Sequence, residues 1–493
     1  MTDAGLKAAA QQDGGTGPVG RRIGLALGPA LAAGLQVAGP PEGLSAQAWI
    51  VVSLLALMLV WWVTEAIPTA AVALLPLLVL PLTGVVSTAE AATPYADPIL
   101  FLFIGGFMIA RAIERWDLHA RVALSVAAAV GARPAALVGG FILAAALLSM
   151  WISNTATALM LVPIAAAVAR AMAAHGHDDP KLGAALILGV AYAASLGGMG
   201  TPVGSPTNVI AMGFLADQGL SLSFLQWMAL GVPVMVLTLP ALWLLTAFGL
   251  RRASADDAAR GRQVLGEARA ALGPVSKAEA RVGLVFLAVA ACWITRELVL
   301  TRLPGLERLT DTAIALAGAL ALFLLPSGAG EGRPKRLLDW STAERIPWGI
   351  VLLFGGGLSV AGAMEATGLS EWLAGELQGL RSYELLAVVA ALILVTLVAT
   401  ELMSNVATLT AMLPIVVALA TALQVPPLYL VFPVSIAASL GFMLPIATAP
   451  NAIAYATGYP SLRQMLVIGG LLNVAGVAAI LVVNALFAPA VLG

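Results

Sequence analysis

Two short polar stretches stand inside long apolar runs: Ser153-Asn154-Thr155-Ala156-Thr157 and Ser404-Asn405-Val406-Ala407-Thr408. Hydroxyls and amides placed there cost several kcal/mol each unless something pairs with them, because hydrocarbon offers no hydrogen bonds. A lone Ser-Asn in such a run most simply bonds the carbonyl of the preceding turn. Two copies at a fixed spacing point instead to two halves of one pocket. A second pair of interruptions follows them: Gly197 to Asn208, ending Gly204-Ser205-Pro206-Thr207-Asn208, and Leu444 to Asn451, ending Ala447-Thr448-Ala449-Pro450-Asn451. Gly and Pro break a helix interior, and the carbonyls and amides they free can serve only a cavity or an ion. Aligning Asn208 with Asn451 sets Gly204 against Ala447, Ser205 against Thr448 and Pro206 against Ala449.

None of these four stretches contains Arg, Lys or His. An anion held there would meet hydroxyls, amides, backbone N–H groups and half-helix N-termini, whose dipoles favour negative charge. Freed carbonyls, Ser and Thr hydroxyls and Asn oxygens are hard ligands suited to a small cation. A pair of sodium ions, one per copy, would balance a dianion without any basic side chain.

The elements that must position these residues are membrane helices. The chain has 493 residues, of which 60% are hydrophobic and 10% charged, a composition outside the range of soluble domains. The net charge of −1 gives no bulk basic surface for nucleic acid. The single cysteine, Cys292, excludes an intrachain disulfide and any cysteine metal cluster. Arg21-Arg22 lead an apolar run to Ala38, read as an uncleaved first helix rather than a signal peptide, since the segments after it are equally apolar. Runs long enough to span fall near 23–38, 46–64, 67–84, 97–115, 183–215, 224–250, 280–300, 311–326, 346–366, 428–457 and 464–490. The runs near 134–172 and 384–422, which carry the Ser-Asn stretches, are nearly two spans long with polar residues at the middle. Each is either a re-entrant hairpin or a pair of full spans. With the N-terminus inside, only Arg296, Arg302, Arg308 and Arg381 of the 25 basic residues fall outside, and both alternatives preserve that bias.

The repeat is visible within the chain. Phe103 to Phe354, Ser153 to Ser404 and Pro163 to Pro414 are all 251 residues apart, which is duplication rather than chance. If the runs are hairpins, the first is entered from inside and the second from outside, an inverted topology typical of secondary transporters with the site at the repeat interface. The glycines of Gly105-Gly106 and Gly355 to Gly357 are expected to serve close helix packing. Glu65 and Glu401, acids at or within the membrane, are expected to be structural hydrogen-bonding groups. Arg111 to Arg121 reads as an amphipathic interfacial helix, and His119, His175 and His177 as solvated residues.

The chain resembles the divalent anion/sodium symporter family, which carries dicarboxylates, citrate or sulfate. The likeness runs from about Trp49 to the C-terminus and rests on both Ser-Asn motifs, the loops Gly204 to Asn208 and Ala447 to Asn451, Trp61-Trp62-Val63-Thr64-Glu65-Ala66-Ile67-Pro68, and Arg115-Trp116-Asp117-Leu118-His119. It implies an all-α polytopic membrane protein with an inverted-topology repeat, about eleven transmembrane helices and two re-entrant helical hairpins. It also implies a homodimer; the expected location is a bacterial inner membrane, among lipid, and the charge bias sets the N-terminus cytoplasmic and the C-terminus outside. One sodium site would use Ser149, Ser153, Asn154 and the backbone at Gly204; its mirror would use Thr400, Asn405 and the backbones at Met403 and Ala447. The substrate would meet Ser153, Asn154, Thr155, Ser404, Asn405 and Thr448, with Val406, Gly204, Ser205, Pro206 and Ala449 completing the pocket. Val406 stands where many bacterial members have Thr, and Ala449 where a Pro is common.

The organisation expected from this is a cytoplasmic tail over 1–22, first-repeat scaffold over 23–133, and first-repeat transport elements over 134–250. A cytoplasmic linker over 251–279, second-repeat scaffold over 280–383 and second-repeat transport elements over 384–493 follow. The expected activity is sodium-coupled symport of a di- or tricarboxylate, most simply a C4-dicarboxylate such as succinate, malate or fumarate, by an elevator-type motion. No cofactor beyond Na+ as coupling ion is expected. Sodium-independent exchange, or citrate or sulfate as the main substrate, is the rival within transport; exchangers commonly place a fixed cation in the site, and the four stretches contain none. No H-E-x-x-H motif, P-loop or intramembrane Ser with His points to an enzyme, and a channel would more commonly be a symmetric oligomer around one pore.

Overall fold

A computed structural model describes residues 18–174, 180–250, 255–330 and 335–492. The expectations for the first 17 residues and for His175 and His177 lie outside the described residues. Among those described the protein is all-α, and ten helices are long and apolar enough to cross a membrane.

Helices α1 (Pro18–Ala38) and α2 (Ala46–Thr64) pack against each other, tied by Trp49 Nε1 to Leu35 O at 2.7 Å and Gln36 Nε2 to Ser53 Oγ at 2.7 Å. The run expected over 67–84 is not one helix: a turn at Thr69–Val72 precedes α3 (Leu75–Leu82), because Pro68 and Pro76 remove two N–H donors within nine residues. Helix α4 (Pro98–Arg115) then crosses beside α13 (Asp311–Leu324). Gly105 permits that approach, since a Cβ there would come within 2.8 Å of the Ala315 carbonyl carbon. The interfacial helix expected from Arg111 to Arg121 is broken in two. Helix α4 runs on to Arg115, Asp117 takes a left-handed conformation at φ 55°, and α5 (Leu118–Val130) starts afresh. His119 is buried rather than solvated, 3.4 Å from the Ile113 carbonyl through Nδ1.

Each long polar-tipped run folds as two helices meeting at the Ser-Asn motif: α6 (Pro134–Ser149) with α7 (Asn154–Ala174), and later α16 (Leu385–Leu402) with α17 (Asn405–Leu423). At 1.5 Å per residue the 16 residues of α6 reach about 24 Å, short of a 30 Å hydrocarbon core, whereas α7, α16 and α17 are among the ten helices long enough to cross. The broken helices are α8 (Pro180–Gly198) with α9 (Pro206–Asp217), and α18 (Leu428–Ala437) with α19 (Ala449–Ala456). Helix α8 packs on both arms of the first hairpin, and α18 on both arms of the second. Helices α10 (Phe224–Ala247) and α20 (Leu462–Leu492) lie side by side; α12 (Lys277–Thr295) and α14 (Trp348–Ala366) are long enough to cross, the shorter α13 packs on both α4 and α12, and α11 (Ala255–Ala271) and α15 (Leu369–Glu376) complete the longer helices.

Candidate functional site

The two Ser-Asn turns owe their shape to helix capping. Ser153 Oγ accepts from Ala156 N at 3.3 Å, and Ser404 Oγ accepts from Ala407 N at 3.3 Å, so each serine starts the second arm of its hairpin. In the second broken helix Thr448 Oγ1 caps α19 by accepting from Asn451 N at 3.3 Å. The N-termini of α7, α9, α17 and α19 all open onto one cavity of about 530 Å³.

Both unwound loops are braced the same way. Asn208 Nδ2 donates to Gly198 O and Thr201 O, each at 2.7 Å; Asn451 Nδ2 donates to Gly441 O at 2.8 Å and Leu444 O at 2.9 Å. All three pairs of equivalent residues are 243 apart. The pairing read from Asn208 and Asn451 is therefore a pairing of hydrogen bonds as well. The halves also meet through hydroxyls: Thr207 Oγ1 lies 2.8 Å from Ser205 Oγ and 3.0 Å from Ser439 Oγ.

Behind the first tip, one terminal atom of the buried-facing Asn154 amide lies 2.9 Å from Ser149 Oγ, 3.1 Å from Ala194 O and 3.3 Å from Gly204 O. With its nitrogen there, the amide donates to these oxygens. With its oxygen there, four oxygens converge with no basic group among them, a cage that a small cation satisfies. Behind the second tip, Thr400 Oγ1 lies 2.9 Å from Asn405 Oδ1 and donates to Ala438 O at 2.5 Å. The donor chemistry at both places, hydroxyl, amide and carbonyl oxygen, fits sodium.

Ser153, Asn154, Thr155, Ser205, Pro206, Met403, Ser404, Asn405, Val406, Ala447, Thr448 and Ala449 all line the cavity. Ser149, Thr400 and Gly204 do not; they are buried in the layer behind the tips. Trp151 anchors the first tip, stacked on Phe224 and Trp293 with ring centroids 6.0 and 6.3 Å away. Glu401 is buried, and its carboxylate accepts from the backbone N–H groups of Phe442, Met443 and Leu444 and from Asn473 Nδ2. This is the structural hydrogen bonding expected of it.

The lining also includes Glu65, which belongs to the Trp61 to Pro68 motif, and residues the motifs did not reveal: Phe107, Arg111 and Glu114 of α4, and Pro347 and Ile350 at the start of α14. Phe107, Arg111 and Glu114 recur at helical spacing on one face, the one pattern from which they could have been read. Several of these residues and their neighbours on α4 and α5 form ion pairs. Arg111 meets Glu114 at 2.7 Å, Arg21 meets Glu65 at 3.7 Å, Arg121 meets Glu279 at 2.7 Å, and Arg115 pairs with Asp339. The Arg115 guanidinium holds the Asp339 carboxyl well below the usual carboxylate range.

Comparison with known proteins agrees with this architecture. Residues 27–492 match the family described as the sodium:sulfate symporter transmembrane region. The sodium-dependent dicarboxylate transporter SdcS of Staphylococcus saprophyticus is 36% identical over 482 residues, covering 96% of this chain and 93% of the relative. SdcS of Staphylococcus aureus strain USA300 is 34% identical over 483 residues, covering 96% and 92%. Among solved structures, MtrF of Neisseria gonorrhoeae, from a class of antimetabolite efflux pumps, shares the fold at a TM-score of 0.57 and 13% identity, over 92% of this chain and 97% of that one.

Proposed function

This chain belongs to the sodium:sulfate symporter family of divalent anion carriers, and from that premise we propose that it is a sodium-coupled symporter of C4-dicarboxylates such as succinate, malate and fumarate. The observation that carries the reading is the single cavity onto which two Ser-Asn tips and four half-helix N-termini open, with no Arg, Lys or His on the tips or loops. A dicarboxylate needs one set of donors at each end, and two pseudo-symmetric tips supply them: Ser153, Asn154 and Thr155 on one side, Ser404 and Asn405 on the other, with Thr448 between. Helix N-termini favour the carboxylates through their dipoles. The dianion's remaining charge is offset by two sodium ions taken as cargo. One lies among Ser149, Ser153, Asn154 and Gly204, the other among Thr400, Met403, Asn405 and Ala447. The named activity of the SdcS relatives, sodium-dependent dicarboxylate transport, supports this choice of substrate and ion.

Arg111 lines the cavity and donates to the Arg345 carbonyl, and Glu65, also in the lining, pairs with Arg21. By the positive-inside rule these basic residues mark the cytoplasmic side, and on that reading the site faces inward. Segments 134–250 and 384–493 form a transport body and segments 23–133 and 280–383 a scaffold, with motion of one against the other exposing the site alternately. The scaffold serves as the contact of a homodimer in the inner membrane.

Uptake of labelled succinate into proteoliposomes under an inward sodium gradient, against an equal potassium gradient, tests the proposal. Sodium-dependent uptake that citrate and sulfate compete for poorly is expected. Uptake indifferent to sodium but dependent on internal dicarboxylate would make the protein an exchanger and remove the two ion sites.

A further inference from the structure

The tips of the cavity are uncharged, but its scaffold wall is not. Arg111 is the only basic residue among the described residues lining the cavity. It stands on α4, outside both repeats' Ser-Asn tips and unwound loops, and lines the same cavity as they do. Its guanidinium is held at two points: Nη1 donates to Glu114 Oε2 at 2.7 Å and Nη2 to the Arg345 carbonyl at 2.6 Å. Those bonds use two of its five N–H donors. The side chain is a third exposed. A guanidinium fixed in orientation, with donors to spare and bordering an anion cavity, is built to meet a carboxylate.

We propose that Arg111 is a specificity-determining residue on the scaffold wall, an anion station that a multivalent carboxylate passes on its way to the Ser-Asn tips. The inference rests on the reading of the cavity as a divalent-anion site. Its chemistry follows from placement. An arginine at the tips would remain as a fixed counter-charge in the site and oppose the need for sodium. On the scaffold wall it attracts the anion without replacing the ions, so coupling at the tips is kept. Glu114 tempers it: the neighbouring carboxylate shares the guanidinium and keeps the anion from being held there.

The charge sets the size of the effect. A unit charge acting across roughly 10 Å of water changes binding by about twofold per substrate charge, hence about fourfold for a dianion. The experiment measures succinate half-saturation from the cytoplasmic face, using inside-out oriented proteoliposomes, for the native protein and for Arg111→Gln, Arg111→Lys and Glu114→Gln. Arg111→Gln is expected to raise half-saturation about fourfold with little change in maximal rate or sodium half-saturation, and the difference from native should shrink at high ionic strength. Arg111→Lys should fall between native and Arg111→Gln, because it keeps the charge and loses the guanidinium fork, and Glu114→Gln should lower half-saturation. An unchanged Arg111→Gln overturns the proposal while leaving the functional reading intact. Equal impairment of Gln and Lys variants, independent of salt and expressed in maximal rate, also overturns it, because Arg111 would then act only through its bond to the Arg345 carbonyl. If the native protein moves none of succinate, citrate and sulfate, the functional reading fails and this proposal fails with it.

Discussion

Replacing Glu401 by methionine puts into the second repeat the residue that occupies the equivalent place in the first, Met150, 251 positions earlier. The two repeats differ here for a structural reason. In the first, the unwound stretch satisfies itself, Met199 N donating to Leu196 O at 3.3 Å and Gly200 N to Gly197 O at 3.0 Å. In the second, α18 ends at Ala437 and α19 starts at Ala449, so a longer stretch is freed. Its amides turn to the carboxylate: Oε1 of Glu401 accepts from Phe442 N at 3.0 Å, Met443 N at 2.9 Å and Asn473 Nδ2 at 3.1 Å, and Oε2 accepts from Leu444 N at 3.0 Å. Methionine strands all four donors at roughly 1–3 kcal/mol each. Removing a buried charge recovers several kcal/mol of desolvation, which leaves a net loss of about 3–5 kcal/mol, a large part of typical stability. Glutamine keeps the three bonds to one oxygen and sets an NH2 against Leu444 N–H, stranding one donor for about 2 kcal/mol. Melting in detergent should therefore rank native above Glu401→Gln above Glu401→Met. Amide exchange at 442–444 should accelerate in the same order, while 199–201 stay protected. A methionine variant that melts with the native protein and keeps protection at 442–444 would refute the assignment of those amides to the carboxylate.

Asn154→Ala and Asn405→Ala are each expected to abolish sodium-driven uptake while the protein still elutes as a folded species in detergent; near-normal transport by either would break the pocket assignment. Gly204→Ala places a Cβ 2.6 Å from Gly198 O and 2.9 Å from Ser149 O, both backbone atoms. The loop must shift away from those carbonyls, which disturbs the Ser149 and Gly204 side of the first ion site, and a several-fold rise in sodium half-saturation is expected, read from the sodium dependence of uptake. Asp217, the last residue of α9 and beyond the apolar run that ends near 215, is pushed up to about 6 by desolvation, with Asp97 and Glu365 adding like charge. A carboxyl raised in the folded state destabilises as pH rises through the span between its unfolded value and about 6. Asp217→Asn should raise the melting temperature at pH 7.5, with the gain fading as pH falls through 6 toward 4; a gain constant with pH would contradict this.

How far the molecule is legible without coordinates depends on the length scale of the cause. The membrane class, the 251-residue repeat and the breaks at Ser153 and Ser404 follow from composition, self-similarity and the cost of polar groups in hydrocarbon. Those are local or periodic properties. The alignment of Asn208 with Asn451 was also legible, because a side chain bracing its own loop leaves its position in both copies. Arg111 was misread as part of an interfacial helix because its helix and the tips are joined only by packing. The break at Asp117, at φ 55°, has no proline or glycine to announce it. His119 likewise looks solvated beside charged neighbours and is buried, with Nδ1 3.4 Å from the Ile113 carbonyl across the break at Asp117.

By itself the amino-acid sequence determined that this is a duplicated membrane protein with two polar tips and two broken helices, since hydropathy and helix breaking act within a turn or two of the residues concerned. Only the tertiary structure decided that both tips and four helix N-termini open on one cavity. It alone decided that Ser149 and Thr400 sit behind the tips, that Glu401 supports the second loop, and that an arginine lines the same cavity as the tips. Those relations join residues up to hundreds of positions apart, and they exist only once helices have packed.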